Sequence, residues 1–233
     1  EKRIEDAQKE VQVRIVEDDV MQDICYGPDS SAPWDRIDGS RPSANQLYKL
    51  RWKGDKASAP VCARFDDRRN RVVLVKQREA YGIRPRNDEQ KFALDACLNP
   101  DVSLVALTGG AGTGKTLLAL AADLQQEKYY DQIVISRPTI VLGNQDIGYL
   151  PGDQKTKMSP FLQPLMDNLN VIKEQFKPSS REALKIESML TQEKLIIEPL
   201  AYIRGRSMGK CYFIIDEAQN LTPHEIKTII TRA

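Results

Sequence analysis

A single histidine, His224, occurs among 233 residues. A nucleophilic site built on a Ser-His-Asp or Cys-His relay would have to use it, and no supporting motif surrounds it. The four cysteines, Cys25, Cys62, Cys97 and Cys211, do not fall within metal-ligand spacing of one another, which argues against a structural zinc site. Scattered thiols fit a reducing compartment better than a disulfide scaffold. Long apolar runs are missing as well. The longest, residues 117–122, is far too short to span a bilayer, and no signal peptide is evident. The expectation is a cytoplasmic protein with no membrane partner. Internal repeats are also lacking.

Net charge is nearly absent, at +1, but the average conceals an uneven distribution. Residues 1–48 hold 6 basic and 11 acidic side chains, whereas residues 49–91 hold 13 basic and 6 acidic ones. Such a basic block can attract a phosphate polymer, or it can be the solvated face of a small β unit; charge alone weighs the two equally. Apolar residues make up 41% of the chain, enough for one large domain or a domain with a small companion.

Residues 1–45 are weakly patterned. Alternation of Val11, Val13 and Ile15 predicts one short strand, and the Gly-, Pro-, Ser- and Asp-rich stretch 27–42 predicts a linker, so 1–45 is expected to be a linker or extended segment. Residues 46–80 form a small β module by pattern. It has strands at 46–52, 61–65 and 71–75, the last two joined as a hairpin. From 81 to 233 the pattern becomes that of an α/β domain. Helices are expected at 87–98, 115–128, 161–176 and 179–190, the last with a capping box of Ser179 and Glu182. The apolar run 102–107 predicts a strand buried on both faces, and further strands are expected at 132–136, 195–198 and 211–215. Thr222 should cap a final helix, with Pro223 in its first position and Glu225 completing the box. Strands alternating with helices imply a parallel α/β sheet with flanking helices.

The decisive motif is the unbroken run Gly109, Gly110, Ala111, Gly112, Thr113, Gly114, Lys115, Thr116. It matches the P-loop pattern, in which glycines let backbone N–H groups wrap a phosphate. Lys115 would supply a point charge to the β and γ phosphates, and the Thr116 hydroxyl a ligand for Mg²⁺. The helix that begins there would add its N-terminal partial charge. A second motif, Cys211-Tyr-Phe-Ile-Ile-Asp216-Glu217, leads an apolar strand to two carboxylates at its C-terminal end, where ligands bind in open α/β sheets. Asp216 is expected to hold Mg²⁺, and Glu217 to orient and deprotonate an attacking water. A third, Asn87-Asp-Glu-Gln90, opens a helix upstream of the P-loop. The Gln90 carboxamide could read adenine, yet its spacing from Asn87 is that of a helix cap, which the spacing alone favours. Arg137, Arg204 and Arg206 follow strand ends and are candidates for RNA phosphate or for the γ-phosphate of a neighbouring subunit; a solvated loop position weighs equally for each. The glycine-containing loop 143–153 is expected to be long and irregular.

Six blocks together resemble the ATPase domain of PhoH-like proteins. They are Tyr81-Gly-Ile-Arg-Pro-Arg-Asn-Asp-Glu-Gln90, Leu107-Thr-Gly-Gly-Ala-Gly-Thr-Gly-Lys-Thr116, Ser136-Arg-Pro138, Asp146-Ile-Gly-Tyr-Leu-Pro-Gly152, Glu198-Pro-Leu-Ala-Tyr-Ile-Arg-Gly-Arg206 and Phe213-Ile-Ile-Asp-Glu-Ala-Gln-Asn220. The resemblance implies a RecA-like P-loop ATPase using ATP and Mg²⁺ and acting on RNA, single-stranded by expectation, as a helicase or translocase. It implies a homo-oligomeric ring, a hexamer being one such arrangement. In one branch the family carries an N-terminal PIN ribonuclease domain. Within the resemblance Gln90 becomes an adenine reader, Arg204 and Arg206 parts of a functional loop, and residues 45–75 the β unit that precedes the core. The family pattern continues with a γ-phosphate-sensing strand, Thr-Gly-Asp-Pro-x-Gln, which is not found here. The chain is therefore expected to be a central piece of a longer protein, one that binds nucleotide yet hydrolyses it poorly by itself. Two other functions remain open from the sequence: a nucleotide-gated RNA-binding or assembly module without motor activity, and a P-loop kinase. The Asp216-Glu217 pair argues against the kinase, because a water-activating glutamate favours hydrolysis.

Overall fold

A computed structural model describes residues 10–38, 40–55, 57–138, 154–200 and 209–231. They divide into two compact units. One comprises the residues up to Arg78 together with Pro85–Asp95; the other comprises Glu79–Arg84 and the residues from Ala96 on.

The first unit is built on a five-stranded sheet in the order β1-β3-β4-β5-β2. Its strands are β1 (Gln12–Val16), β2 (Ser31–Pro33), β3 (Leu47–Trp52), β4 (Val61–Asp66) and β5 (Arg71–Leu74). The predicted hairpin is present, with Asp66 opposite Arg71. The expected linker is not a linker. It contains α1 (Asp18–Tyr26), β2 and a 3-10 turn at Trp34–Arg36. Strand β1 lies parallel to β3, and β2 antiparallel to β5. The physical reason is Trp34. It is almost fully buried, its indole N–H donates to the Ser40 carbonyl at 2.6 Å, and its ring lies 5.4 Å from Tyr48 and 5.6 Å from Phe65. One large aromatic can hold a polar, Pro-rich stretch against a core that composition alone would not assign to it. Val20, Met21 and Ile24 supply the buried face of α1, at the spacing of an amphipathic helix.

Helix α2 (Asp88–Cys97) adds Phe92 to a second cluster with Cys62 and Val75. Part of the basic block is locally compensated in this unit. Lys49 pairs with Asp88 at 2.9 Å, Lys53 with Glu17 at 2.5 Å, and Arg64 with the buried Asp95 at 3.0 Å. Arg71 donates to Ser31. The Asp88 partner raises the Lys49 ammonium above its ordinary pKa.

The second unit holds a parallel sheet in the order β7-β6-β8, with β6 (Gln132–Arg137) between β7 (Leu195–Pro199) and β8 (Cys211–Ile215). Helices α3 (Lys115–Gln125), α4 (Gln154–Lys173) and α5 (Arg181–Thr191) flank it, and α6 (Pro223–Ile230) follows β8. Leu118, Ala121 and Leu124 of α3, Leu165, Leu169 and Ile172 of α4, and Ala183, Ile186 and Met189 of α5 are the buried stripes that the helical period places on one face.

Two expectations fail here. The cap of α5 is Ser180, whose hydroxyl accepts from Ala183 N; Ser179 lies one residue too early. Residues 102–107 run outside both sheets, and Leu104 is 65% exposed. An apolar run shows that a segment could be buried, but a strand exists only where a neighbour exchanges backbone hydrogen bonds with it. The reciprocal capping box of Thr222 and Glu225, with Pro223 at the first position, is present as expected. Among the described residues no helix is long and apolar enough to cross a membrane.

Candidate functional site

The site forms where strand ends and a helix start meet. Strands β6 and β8 run parallel, with Ser136 in register with Ile215, so the residues that follow emerge at the same edge. The Asp216 N–H donates to the Ser136 carbonyl at 2.8 Å and fixes that carboxylate beside β6. Helix α3 begins at Lys115, immediately after the glycine loop.

Gly114 caps α3 with φ 81° and Gly112 has φ 73°, left-handed conformations that L side chains rarely adopt. A Cβ at Gly110 would meet nothing within 4 Å, so packing inside the chain does not explain that glycine. An open concave backbone is what a phosphate cradle requires. The Lys115 ammonium lies across the loop and donates to the carbonyls of Gly109 and Gly110, each at 2.8 Å. Thr113 Oγ1 donates to Gly110 O at 2.9 Å. Ala111, like most of the loop, is exposed.

Across the sheet edge, the Thr116 hydroxyl donates to Asp216 Oδ1 at 2.7 Å, joining residues 100 positions apart in sequence. The donor set of hydroxyl and carboxylate oxygens suits Mg²⁺, which takes one or two carboxylates and completes its shell with water and phosphate. Among the described residues no group of three or more His, Cys, Asp or Glu side chains could form an all-protein metal cage.

Glu217 has φ 53° and ψ 40°, an uncommon conformation for a residue with a side chain and one that concentrates at functional positions. Its Oε2 accepts from the Gln219 amide. Arg137, a candidate for RNA phosphate or for a neighbouring subunit's γ-phosphate, faces the acidic pair within this chain. Nη1 is 3.9 Å from Asp216 Oδ2 and Nη2 is 3.8 Å from Glu217 Oε1. Sequence reasoning missed Gln219; its signal was the two-residue spacing from Glu217 in a tight turn.

Gln90 caps α2. Its N–H donates to Asn87 Oδ1 at 2.8 Å, and its side-chain oxygen accepts from Arg86 N at 2.8 Å. It belongs to the unit of the five-stranded sheet, whereas the P-loop belongs to the other. Arg204, Arg206 and the loop 143–153 lie outside the described residues.

With this geometry in hand, comparison with known proteins is decisive. The PhoH-like protein family matches residues 82–233. The chain belongs to the PhoH-like family. This is a family of the P-loop ATPase type. Protein PhoH2 of Bacillus subtilis (strain 168) is 47% identical over 155 residues, covering 65% of this chain and 34% of that protein. Protein PhoH2 of Thermobispora bispora is 38% identical over 165 residues, covering 69% and 36%. A PhoH-like protein of Synechocystis sp. (strain ATCC 27184 / PCC 6803 / Kazusa) is 37% identical over 164 residues, covering 70% and 47%. The matched region therefore spans about a third to a half of these PhoH relatives.

Proposed function

We propose that the chain binds ATP with Mg²⁺ at this site, and that the complete protein hydrolyses ATP to move along or remodel RNA. The observation that carries the proposal is the 2.7 Å contact between Thr116 and Asp216, which brings the phosphate loop and the carboxylate strand to one point. Thr116 and Asp216 would hold Mg²⁺, which when bound offsets phosphate charge. Lys115 would exchange its two loop carbonyls for phosphate oxygens. Glu217 would accept a proton from the water that attacks the γ-phosphorus, and ADP would leave from the opposite side. Within this reading Gln90 contacts adenine.

RNA as the partner rests on the family resemblance rather than on charge. Lys49, Arg64 and Arg71 are half-buried and already engaged within the five-stranded unit, so they offer little to a phosphate backbone. Ring assembly and a fused or associated PIN ribonuclease belong to the same proposal. The second reading, a nucleotide-gated module without motor activity, uses the same binding site. RNA-stimulated phosphate release supports the motor; nucleotide binding without it supports the gate.

The binding step is tested by Lys115→Ala. Charge-assisted contacts are worth roughly 1.5–3 kcal/mol, so ATP–Mg²⁺ affinity should fall by about tenfold to a hundredfold in calorimetry. An unchanged affinity would remove the loop from the phosphate-binding role.

A further inference from the structure

The charges around Asp216 and Glu217 are arranged as a closed set. Asp216 Oδ1 is taken by the Thr116 hydroxyl, and Glu217 Oε2 by the Gln219 amide. The remaining oxygens, Asp216 Oδ2 and Glu217 Oε1, both face the Arg137 guanidinium, one on each terminal nitrogen. At 3.9 and 3.8 Å these contacts are longer than hydrogen bonds. Arg137 is thus a counter-charge to the pair rather than a fixed ligand. The Asp216 side chain is only 14% exposed and that of Arg137 28%, so the attraction is less screened than at an open surface. Strand pairing dictates the placement, because the residue before Arg137 accepts the Asp216 amide.

We propose that Arg137 is a built-in competitor of the divalent cation: it bridges Asp216 and Glu217, and it must withdraw when the cation binds. The proposal rests on the reading that Asp216 takes the cation. Two adjacent carboxylates repel each other, and one guanidinium across both relieves the repulsion. A divalent cation held by Thr116 and Asp216 relieves it more fully and repels the guanidinium. Arg137 then turns from the carboxylates and becomes available to a phosphate group only in the loaded protein. Metal binding and the freeing of one arginine are therefore a single event, and Arg137 sets the cation concentration at which it happens.

The test measures binding of a fluorescent ADP analogue to the full chain as free Mn²⁺ is raised, for the parent, Arg137→Gln, Arg137→Lys and Asp216→Asn. Removing the competitor should lower the Mn²⁺ midpoint in Arg137→Gln by roughly three- to tenfold, the range that one or two partly exposed ion pairs allow. Arg137→Lys, which keeps the charge, should stay within about twofold of the parent. Arg137→Met, which keeps the apolar stem, replaces the glutamine variant if that one does not fold. A midpoint that is unchanged or higher without the charge overturns the proposal. So does weaker nucleotide binding at an unmoved midpoint, which would place Arg137 on the phosphates throughout. Asp216→Asn separates the two levels: if it leaves the Mn²⁺ dependence intact, Asp216 does not take the cation and the functional reading fails first.

Discussion

Both units pair surface charges, but they differ in what they bury: Lys173 meets Glu187, and Lys185 and Lys194 meet Glu127 in the P-loop unit, yet that unit also buries a lone carboxyl. In the five-stranded unit the aromatic core and the buried carboxylate are settled locally. Trp34, Tyr48 and Phe65 close a core, and Arg64 meets the buried Asp95. In the P-loop unit, polar groups stand where burial penalises them. Asp123 on α3 is fully buried, and among the described residues neither carboxylate oxygen has a hydrogen-bond partner, nor does the buried Ser136 hydroxyl. The groups that sense the Asp123 charge are Cys97, Tyr130, Cys211 and Tyr212, all weak acids. Burial pushes Asp123 well above the ordinary carboxylate range and the Cys97 thiol up to about 11. The difference teaches where to look for function: the first unit spends its polar residues on stability, while the second keeps them in uncommon settings at the loop, the strand ends and the helix between them.

The largest expected effect lies in the P-loop unit. Glu217→Gln removes the negative charge that would activate water while Thr116 and Asp216 keep their contact. Turnover in the complete protein should fall by about 10²–10⁴-fold, with ATP affinity retained. Equal phosphate release by mutant and parent would assign water activation to another group.

Next comes Asp123. Its folded pKa lies above its unfolded value near 3.8, so the unfolded chain loses the proton first as pH rises. Stability is then highest below that value and declines with rising pH until the folded carboxyl itself ionises, by about 1.4 kcal/mol per pH unit at most. Asp123→Asn should flatten this decline, and urea unfolding at pH 5, 6, 7 and 8 measures it. Parallel pH profiles for the two proteins would mean that Asp123 is ionised or paired in solution.

The smallest effect sharpens the comparison most. Gln90 sits in the first unit as a partner in the capping of α2, yet family resemblance gives it adenine. If it reads adenine, Gln90→Ala should weaken ATP binding more than GTP binding. If it only caps, stability should drop by about 0.5–2 kcal/mol with nucleotide preference unmoved.

Where the sequence carried local physics, it was legible. The glycine loop, the capping box of Thr222 and Glu225 and the hairpin of β4 and β5 each follow from residues close together in the chain. The parallel sheet followed from alternating patterns. What failed depended on distant partners. Residues 31–34 looked like linker because their burial comes from Tyr48, Phe65 and β5. Residues 102–107 looked like a buried strand because composition cannot show whether a neighbour pairs with them. The approach of Arg137 to Asp216 and Glu217 was not legible either, because those partners lie some 80 residues along the chain and arrive only through the pairing of β6 with β8.

The central claim is that Thr116 and Asp216 act together on one nucleotide-bound cation. A double-mutant cycle on ATP–Mg²⁺ affinity, with Thr116→Ala, Asp216→Asn and the pair, tests it most directly. The account predicts a coupling of about 0.5–3 kcal/mol, with the double variant losing less than the sum of the single losses. Strictly additive losses, or single variants that bind ATP–Mg²⁺ as the parent does, would contradict it.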